Sequence, residues 1–209
     1  AAFASEIAMA CGIEMLCPAY RLAPEHPFPA GLNDVAKVLS ALTDTTRLPI
    51  ILSGDSAGGG LAASLAFLAT AGGYALTGLV LLSPWLDLTV TSSCYEDNAA
   101  SDPLFSKQSA SEAANLYLQG VDPRDPLVSP LVAPLRGLPP TFIAFGSGEV
   151  LLDDSRRLAR ALEQAGVAFR LLEVAGMDHV AITRNRSLPG ADTVFGAITG
   201  FVDELVGAI

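Results

Sequence analysis

Gly54-Asp55-Ser56-Ala57-Gly58 reads G-x-S-x-G, between the apolar run LPIIL and the alanine-rich LAASLAFLA. That is the strand, sharp turn and helix in which a serine becomes an exposed nucleophile. The tight corner holds Ser56 in a strained conformation, and a side chain at Gly54 or Gly58 is expected to collide with nearby backbone. Position is the gain: Ser56 Oγ stands at the carboxyl end of a sheet, and the Ala57 N–H, at a helix N-terminus, points at a developing oxyanion. The other reading is a Gly-rich turn that caps a helix, with Ser56 incidental.

A serine alone is a poor nucleophile and needs a base, which in turn needs an orienting acid. The chain has two histidines. His26 lies in APEHPFP, where flanking prolines mark a structural turn. His179 follows FRLLEVAG, at a strand's carboxyl end and in the chain order Ser, acid, His, so it is the expected base. The acid should follow TFIAFG, where Glu149, Asp153 and Asp154 are available. Asp153 and Asp154 fall in the first turn of the next helix, where the helix dipole favours carboxylates without any catalytic role. Glu149, in the loop at the strand's end, is the first choice and Asp153 the second.

These residues need a scaffold of strands with their carboxyl ends on one side. Five apolar runs read as strands: Ile13–Pro18, Leu48–Ser53, Leu76–Ser83, Thr141–Gly146 and Phe169–Val174. Helical periodicity falls near Pro29–Leu42, Ala57–Ala71, Ser106–Leu118, Leu151–Ala165 and Ala191–Val206, and the opening AAFASEIAMACG resembles the middle or end of a helix. Strands apolar along their whole length, alternating with helices, imply an α/β fold with a mostly parallel sheet covered on both faces. Thr89–Asp102 is polar and Ser-rich and Asp122–Pro140 holds six prolines, so both are expected as surface excursions. Trp85 and Leu86, after the strand ending at Ser83, are candidates to line an acyl pocket, since loops at strand ends form sites in such folds; a core tryptophan is the other reading. Arg21, Glu25 and Asp34 are expected as a buried polar cluster, Asp55 as a hydrogen-bonded brace of the turn and Asp178 as solvent-facing.

Composition limits the partners. With 209 residues, 51% hydrophobic and 16% charged, the chain suffices for one domain over 1–209. Twelve Lys and Arg against 22 Asp and Glu give a net charge of −10, which disfavours nucleic acid and anionic membrane partners and fits a small neutral substrate. No apolar stretch reaches the roughly 18 residues of a membrane span, and a basic leader is lacking, so a cytoplasmic location is expected. Cys11, Cys17 and Cys94, without C-x-x-C spacing, are expected as small core residues rather than disulfides or zinc ligands.

Beyond these single motifs, YRLAPEHPFPAGLND (Tyr20–Asp34), GDSAGG, SPWLDLT (Ser83–Thr89), DPLVSPL (Asp125–Leu131), GLPPTFIAFG (Gly137–Gly146), EVLLDDS (Glu149–Ser155) and GMDH (Gly176–His179) occur in order along nearly the whole chain. Together they resemble the bacterial hormone-sensitive-lipase-like carboxylesterases of the α/β-hydrolase fold. The resemblance implies a serine esterase with no metal or organic cofactor. The family's acid is usually an Asp opening D-P-L-R-D-E, nine residues after L-P-P and thirty before the His, and here that position is Glu149. Asp153 then falls at the family's second, non-nucleophilic Asp.

The family's H-G-G-G motif, whose N–H groups complete the oxyanion hole, should precede YRLAPEHP by a few tens of residues, ahead of this sequence. The same upstream part normally supplies the first three strands and much of the cap, the third strand lying between those read at Ile13–Pro18 and Leu48–Ser53. Without it, those two are expected to pair directly or the open edge to be covered by another chain, as in a homo-oligomer. Ala57 is then the one oxyanion donor that can be named. The expected activity is hydrolysis of small, short-chain acyl esters through an acyl-enzyme at Ser56. The alternative is an inactive or weakly active ligand-binding protein on the same fold, lacking a complete oxyanion hole.

Overall fold

The computed structural model describes residues 2–207. It opens with helix α1 (Ala2–Cys11) and α2 (Ala30–Thr45), followed by strand β1 (Ile51–Asp55), helix α3 (Ser56–Ala71) and strand β2 (Gly78–Leu82). Helices α4 (Cys94–Asp97) and α5 (Lys107–Leu118) and a single 3-10 turn at Pro130–Val132 lead to β3 (Thr141–Gly146). Helix α6 (Leu152–Ala165), β4 (Phe169–Val174), α7 (Ala181–Arg184) and α8 (Ala191–Gly207) complete it. The four strands run parallel in the order β1-β2-β3-β4. This is the α/β-hydrolase arrangement, with its strand ends gathered along one rim.

The apolar strands are explained by burial on two faces. Leu79 and Leu81 of β2 and Ile143 and Phe145 of β3 pack against α3 and α6, through Ala62, Ala66, Leu158 and Leu162. Their neighbours Val80, Leu82, Phe142 and Ala144 point the other way, onto Ile198, Phe201 and Val202 of α8 and Ile7 of α1. Because successive side chains of a strand alternate between faces, a strand covered on both sides is apolar at nearly every position. The outer strand β4 does carry charge: Arg170 pairs with Glu204 and Glu173 with Arg156.

Three expectations change. Ile13–Pro18 forms no strand, and β1 pairs with β2 alone among the described residues. Ile13 and Met15 rest against the α8 face as partly buried side chains, whereas Glu14, Leu16 and Cys17 are exposed. An apolar run becomes a strand only beside a backbone it can bond to, and this segment lies apart from the ladder. The Ser-rich excursion is only partly a surface one, since Val90, Tyr95 and Asp102 within it are buried. Cys17 is exposed and only Cys11 and Cys94 pack against core clusters, so the cysteines are not uniformly core residues.

Leu81 is fully buried between the sheet and its helices. Leu81→Ala is expected to destabilise the fold by about 3 kcal/mol, transfer and cavity contributions together. Met9, 76% exposed on α1, provides the control: Met9→Ala should stay within about 0.5 kcal/mol. Urea denaturation of both variants measures the contrast.

Candidate active site

The corner between β1 and α3 is as tight as its glycines suggest. Ser56 takes φ 51°, in the left-handed region that a non-glycine residue enters only when its surroundings hold it there. A Cβ on Gly54 would lie 2.1 Å from the carbonyl oxygen of Gly58, so a side chain is excluded there. Gly58 corrects the sequence expectation: a Cβ on it would meet nothing closer than the Tyr20 hydroxyl at 3.8 Å. The glycines that require close approach further on are Gly59 and Gly60, whose Cβ positions would fall 2.8 Å from Pro84 Cβ and 2.3 Å from the Trp85 carbonyl oxygen. Helix α3 thus lies directly on the chain leaving β2, and the Trp85 N–H donates to the Ser56 carbonyl at 2.9 Å.

Three strand ends bring the polar groups together. His179, 6% exposed, follows β4. Its Nε2 lies 2.9 Å from Ser56 Oγ and its Nδ1 lies 2.8 Å from Glu149 Oε2. A carboxylate can only accept, so Nδ1 carries the hydrogen and Nε2 presents a lone pair to the serine hydroxyl. Glu149 is 1% exposed. Its second oxygen accepts from the Ser83 hydroxyl at 2.8 Å and from the Gly146 N–H. Gly146 itself leaves no room for a side chain, because a Cβ there would sit 1.9 Å from the Met177 carbonyl oxygen.

The other carboxylates point elsewhere. Asp153 faces Arg160 at 3.6 Å and Arg157 at 4.0 Å on its own helix, away from the imidazole. Asp154 is buried and accepts from the Leu86 and Asp87 N–H groups at 2.7 and 3.0 Å, fixing the loop after β2. Burial pushes the Asp154 carboxyl up to about 7, with the Asp87 charge adding to the rise and the two N–H bonds and Arg157 opposing it.

Residues of the Ser-rich segment, missed by sequence reasoning, clamp the loop that carries Glu149. Asn98 Nδ2 donates to the Glu149 carbonyl at 2.7 Å and Ser101 Oγ to the Gly148 carbonyl at 2.8 Å. The Asp102 carboxylate accepts from the Val150 N–H at 3.0 Å and from the Phe105 N–H at 3.1 Å. Phe105 then stacks on the His179 ring, with centroids 6.0 Å apart, and meets Trp85 edge-on at 5.5 Å. The available sequence signal was Asp102 two residues ahead of an aromatic-containing Leu104-Phe105 pair, just before a helix start.

Beside the elbow lies a largely apolar cavity of about 270 Å³, lined by Ala57, Leu61, Trp85, Leu88, Tyr117 and Val128 among others. Trp85 is among its lining residues. Leu86 is not: it is fully buried in the core between sheet and helices, because the Asp154 bonds turn this residue inward. Arg21 and Asp34 form a bidentate pair, but on the surface, and Glu25 is exposed, so the expected buried cluster is absent. Asp55 is exposed and its carboxylate makes no hydrogen bond among the described residues, so it does not brace the turn in that way. His26 is exposed in its turn, and Asp178 is half-buried beside Arg184. Among the described residues no helix is long and apolar enough to cross a membrane.

With this geometry in view, comparison with known proteins places the chain. A family model described as the alpha/beta hydrolase fold matches residues 1–183. An esterase of Acinetobacter venetianus is 36% identical over 208 residues, covering 98% of this chain and 69% of that protein. An acetyl-hydrolase of Streptomyces hygroscopicus is 39% identical, covering 84% of this chain and 60% of that protein. A crystal structure of an esterase from the bacterial hormone-sensitive lipase family superposes with a TM-score of 0.94 at 38% identity, covering 98% of this chain and 70% of that one. The chain belongs to the α/β-hydrolase fold family. Within it, the chain is one of the hormone-sensitive-lipase-type carboxylic ester hydrolases, and it spans about 60–70% of the length of these relatives.

Gly54→Ala should cost about 1–3 kcal/mol through forced backbone displacement. Gly58→Ala, in open space on a helix, should be neutral or stabilising by up to about 1 kcal/mol. Thermal unfolding of the pair distinguishes the two glycines. Asp154 gives a pH prediction. Its folded value of about 7 lies above the ordinary 3.8, so its contribution to stability is fully present below pH 3.8 and is lost as pH rises through about 7. Asp154→Asn cannot ionise, so the stability difference between wild type and variant should move in the variant's favour across that window, as read by urea denaturation at several pH values.

Proposed function

We propose that the chain is a serine carboxylesterase that hydrolyses small, short-chain acyl esters through an acyl-enzyme at Ser56. The observation that carries this reading is the continuous hydrogen-bonded series from Ser56 Oγ to His179 Nε2 at 2.9 Å and from His179 Nδ1 to Glu149 at 2.8 Å. Ser56 Oγ bonds to the ester carbonyl carbon while its proton passes to His179 Nε2. The carbonyl oxygen becomes an oxyanion, to which the Ala57 N–H at the start of α3 donates. Collapse breaks the bond to the leaving oxygen, which departs as alcohol with the proton from Nε2. Water then attacks the acyl carbon, giving a proton to Nε2, and that proton returns to Ser56 Oγ as the carboxylic acid leaves.

Glu149 holds the imidazole in the required tautomer and offsets its positive charge. The apolar cavity beside Ala57 and Trp85 supports a small acyl group rather than a charged one. The names of the relatives, esterase and acetyl-hydrolase, support the same class of substrate.

Hydrolysis of p-nitrophenyl acetate, propionate and butyrate tests this reading. Ser56→Ala and His179→Ala should each lower kcat at least about 10³-fold, and Glu149→Gln about 10²–10⁴-fold. Equal rates for wild type and Ser56→Ala would remove the enzyme reading and leave a ligand-binding protein on this fold.

A further inference from the structure

Ser83 lies outside the nucleophile, base and acid, yet its hydroxyl touches the supports of two of them. It is 1% exposed at the end of β2 and takes φ 45°, a left-handed conformation that costs a non-glycine residue energy. The residue after it is Pro84, whose ring restricts the backbone of Ser83 further. Its N–H donates to the Ala144 carbonyl at 2.7 Å, so the strained residue is anchored to β3. Its Oγ donates to Glu149 Oε1 at 2.8 Å and accepts from the Val180 N–H at 3.3 Å, next to His179.

We infer that Ser83 is a positioning residue for the hydrolytic reaction, its hydroxyl holding the Glu149 carboxylate and the His179 loop in register with each other. This rests on the serine mechanism proposed above. A glutamate has one more rotatable bond than the aspartate usual in the family, so a single contact to His179 does not fix where its carboxylate sits. Oε2 is occupied by the imidazole, and Oε1 is free to swing unless something holds it. Ser83 and the Gly146 N–H supply the two donors that do so, from two different strand ends. The same hydroxyl, with one hydrogen to give and lone pairs to receive, uses both capacities at once. Removing it leaves the buried Glu149 Oε1 with one donor fewer, which costs more than the bond's own worth. Isolated hydroxyls seldom justify a left-handed backbone, so the strain at Ser83 is explained by a position that this backbone alone provides.

Two variants separate the hydroxyl from the backbone. Ser83→Ala removes the oxygen and keeps the strain, whereas Ser83→Gly removes both and relieves the left-handed conformation. Both should lower kcat for p-nitrophenyl butyrate roughly ten-fold with KM within about two-fold, because base and acid geometry acts on the chemical step rather than on ester binding. Their melting temperatures should differ, Ser83→Gly being the higher. The low-field proton resonance of the hydrogen shared by His179 Nδ1 and Glu149 should be present in wild type and broadened or shifted in both variants. A purely structural role predicts instead that melting temperature falls while kcat and the resonance stay at wild-type values, and that outcome would overturn the inference. The resonance is read without turnover, so it tests Ser83 even if wild type shows no Ser56-dependent hydrolysis, a result that would sink the esterase reading alone.

Discussion

A carboxylate that has lost nearly all its water must be met by donors, and at Glu149 every nearby element is shaped by that demand. One oxygen receives the imidazole, and the other receives a strand-end backbone N–H and the Ser83 hydroxyl. Its own loop is gripped by Asn98, Ser101 and Asp102 through three further hydrogen bonds to backbone. Removing one donor leaves a carboxylate that is 1% exposed with fewer partners, so its contacts support one another. His179 takes its orientation from this anion, and Ser56 takes its acceptor from His179.

The sheet makes that convergence geometrically available. Parallel strands put all their carboxyl ends on one rim, so β1 delivers Ser56, β2 delivers Ser83 and Trp85, β3 delivers Glu149 and β4 delivers His179. The order β1-β2-β3-β4 sets β2 between Ser56 and Glu149, which is why the segment from Ser83 to Trp85 contacts both. Glycines at 54, 59, 60 and 146 remove the side chains that would hold those rims apart. Burial of both sheet faces against helices keeps the strands fixed, so the strain at Ser56 and Ser83 is held by packing elsewhere.

Much of this was legible in the sequence, and the rest had physical reasons for being hidden. β3 and β4 appear with the expected bounds: β3 is buried along its whole length and apolar after Thr141, and β4, although Arg170 and Glu173 are exposed, keeps Phe169, Leu171, Leu172 and Val174 within six residues. Glu149 could be separated from Asp153 because helix-start carboxylates have a local reason to exist and a loop carboxylate does not. Ile13–Pro18 misleads because strand identity depends on a partner that periodicity cannot see. Ser83, Asn98, Ser101 and Asp102 act on groups 47 to 66 residues away, and no local pattern records such partners. A polar, Ser-rich stretch consequently reads as surface although part of it lies beneath the acid. Gly58 fits the motif, but its space is open; motif membership and steric need are separate properties.

In the proposed reaction Glu149 and His179 activate Ser56 toward an ester carbonyl. Rapid-quench mass spectrometry during p-nitrophenyl butyrate turnover tests it most directly. A butyryl group is expected on the peptide containing Ser56 within the first turnover, at a level approaching one per chain, and should be nearly absent in His179→Ala. A butyryl adduct on another residue, or equal acylation of Ser56 with and without His179, would contradict it.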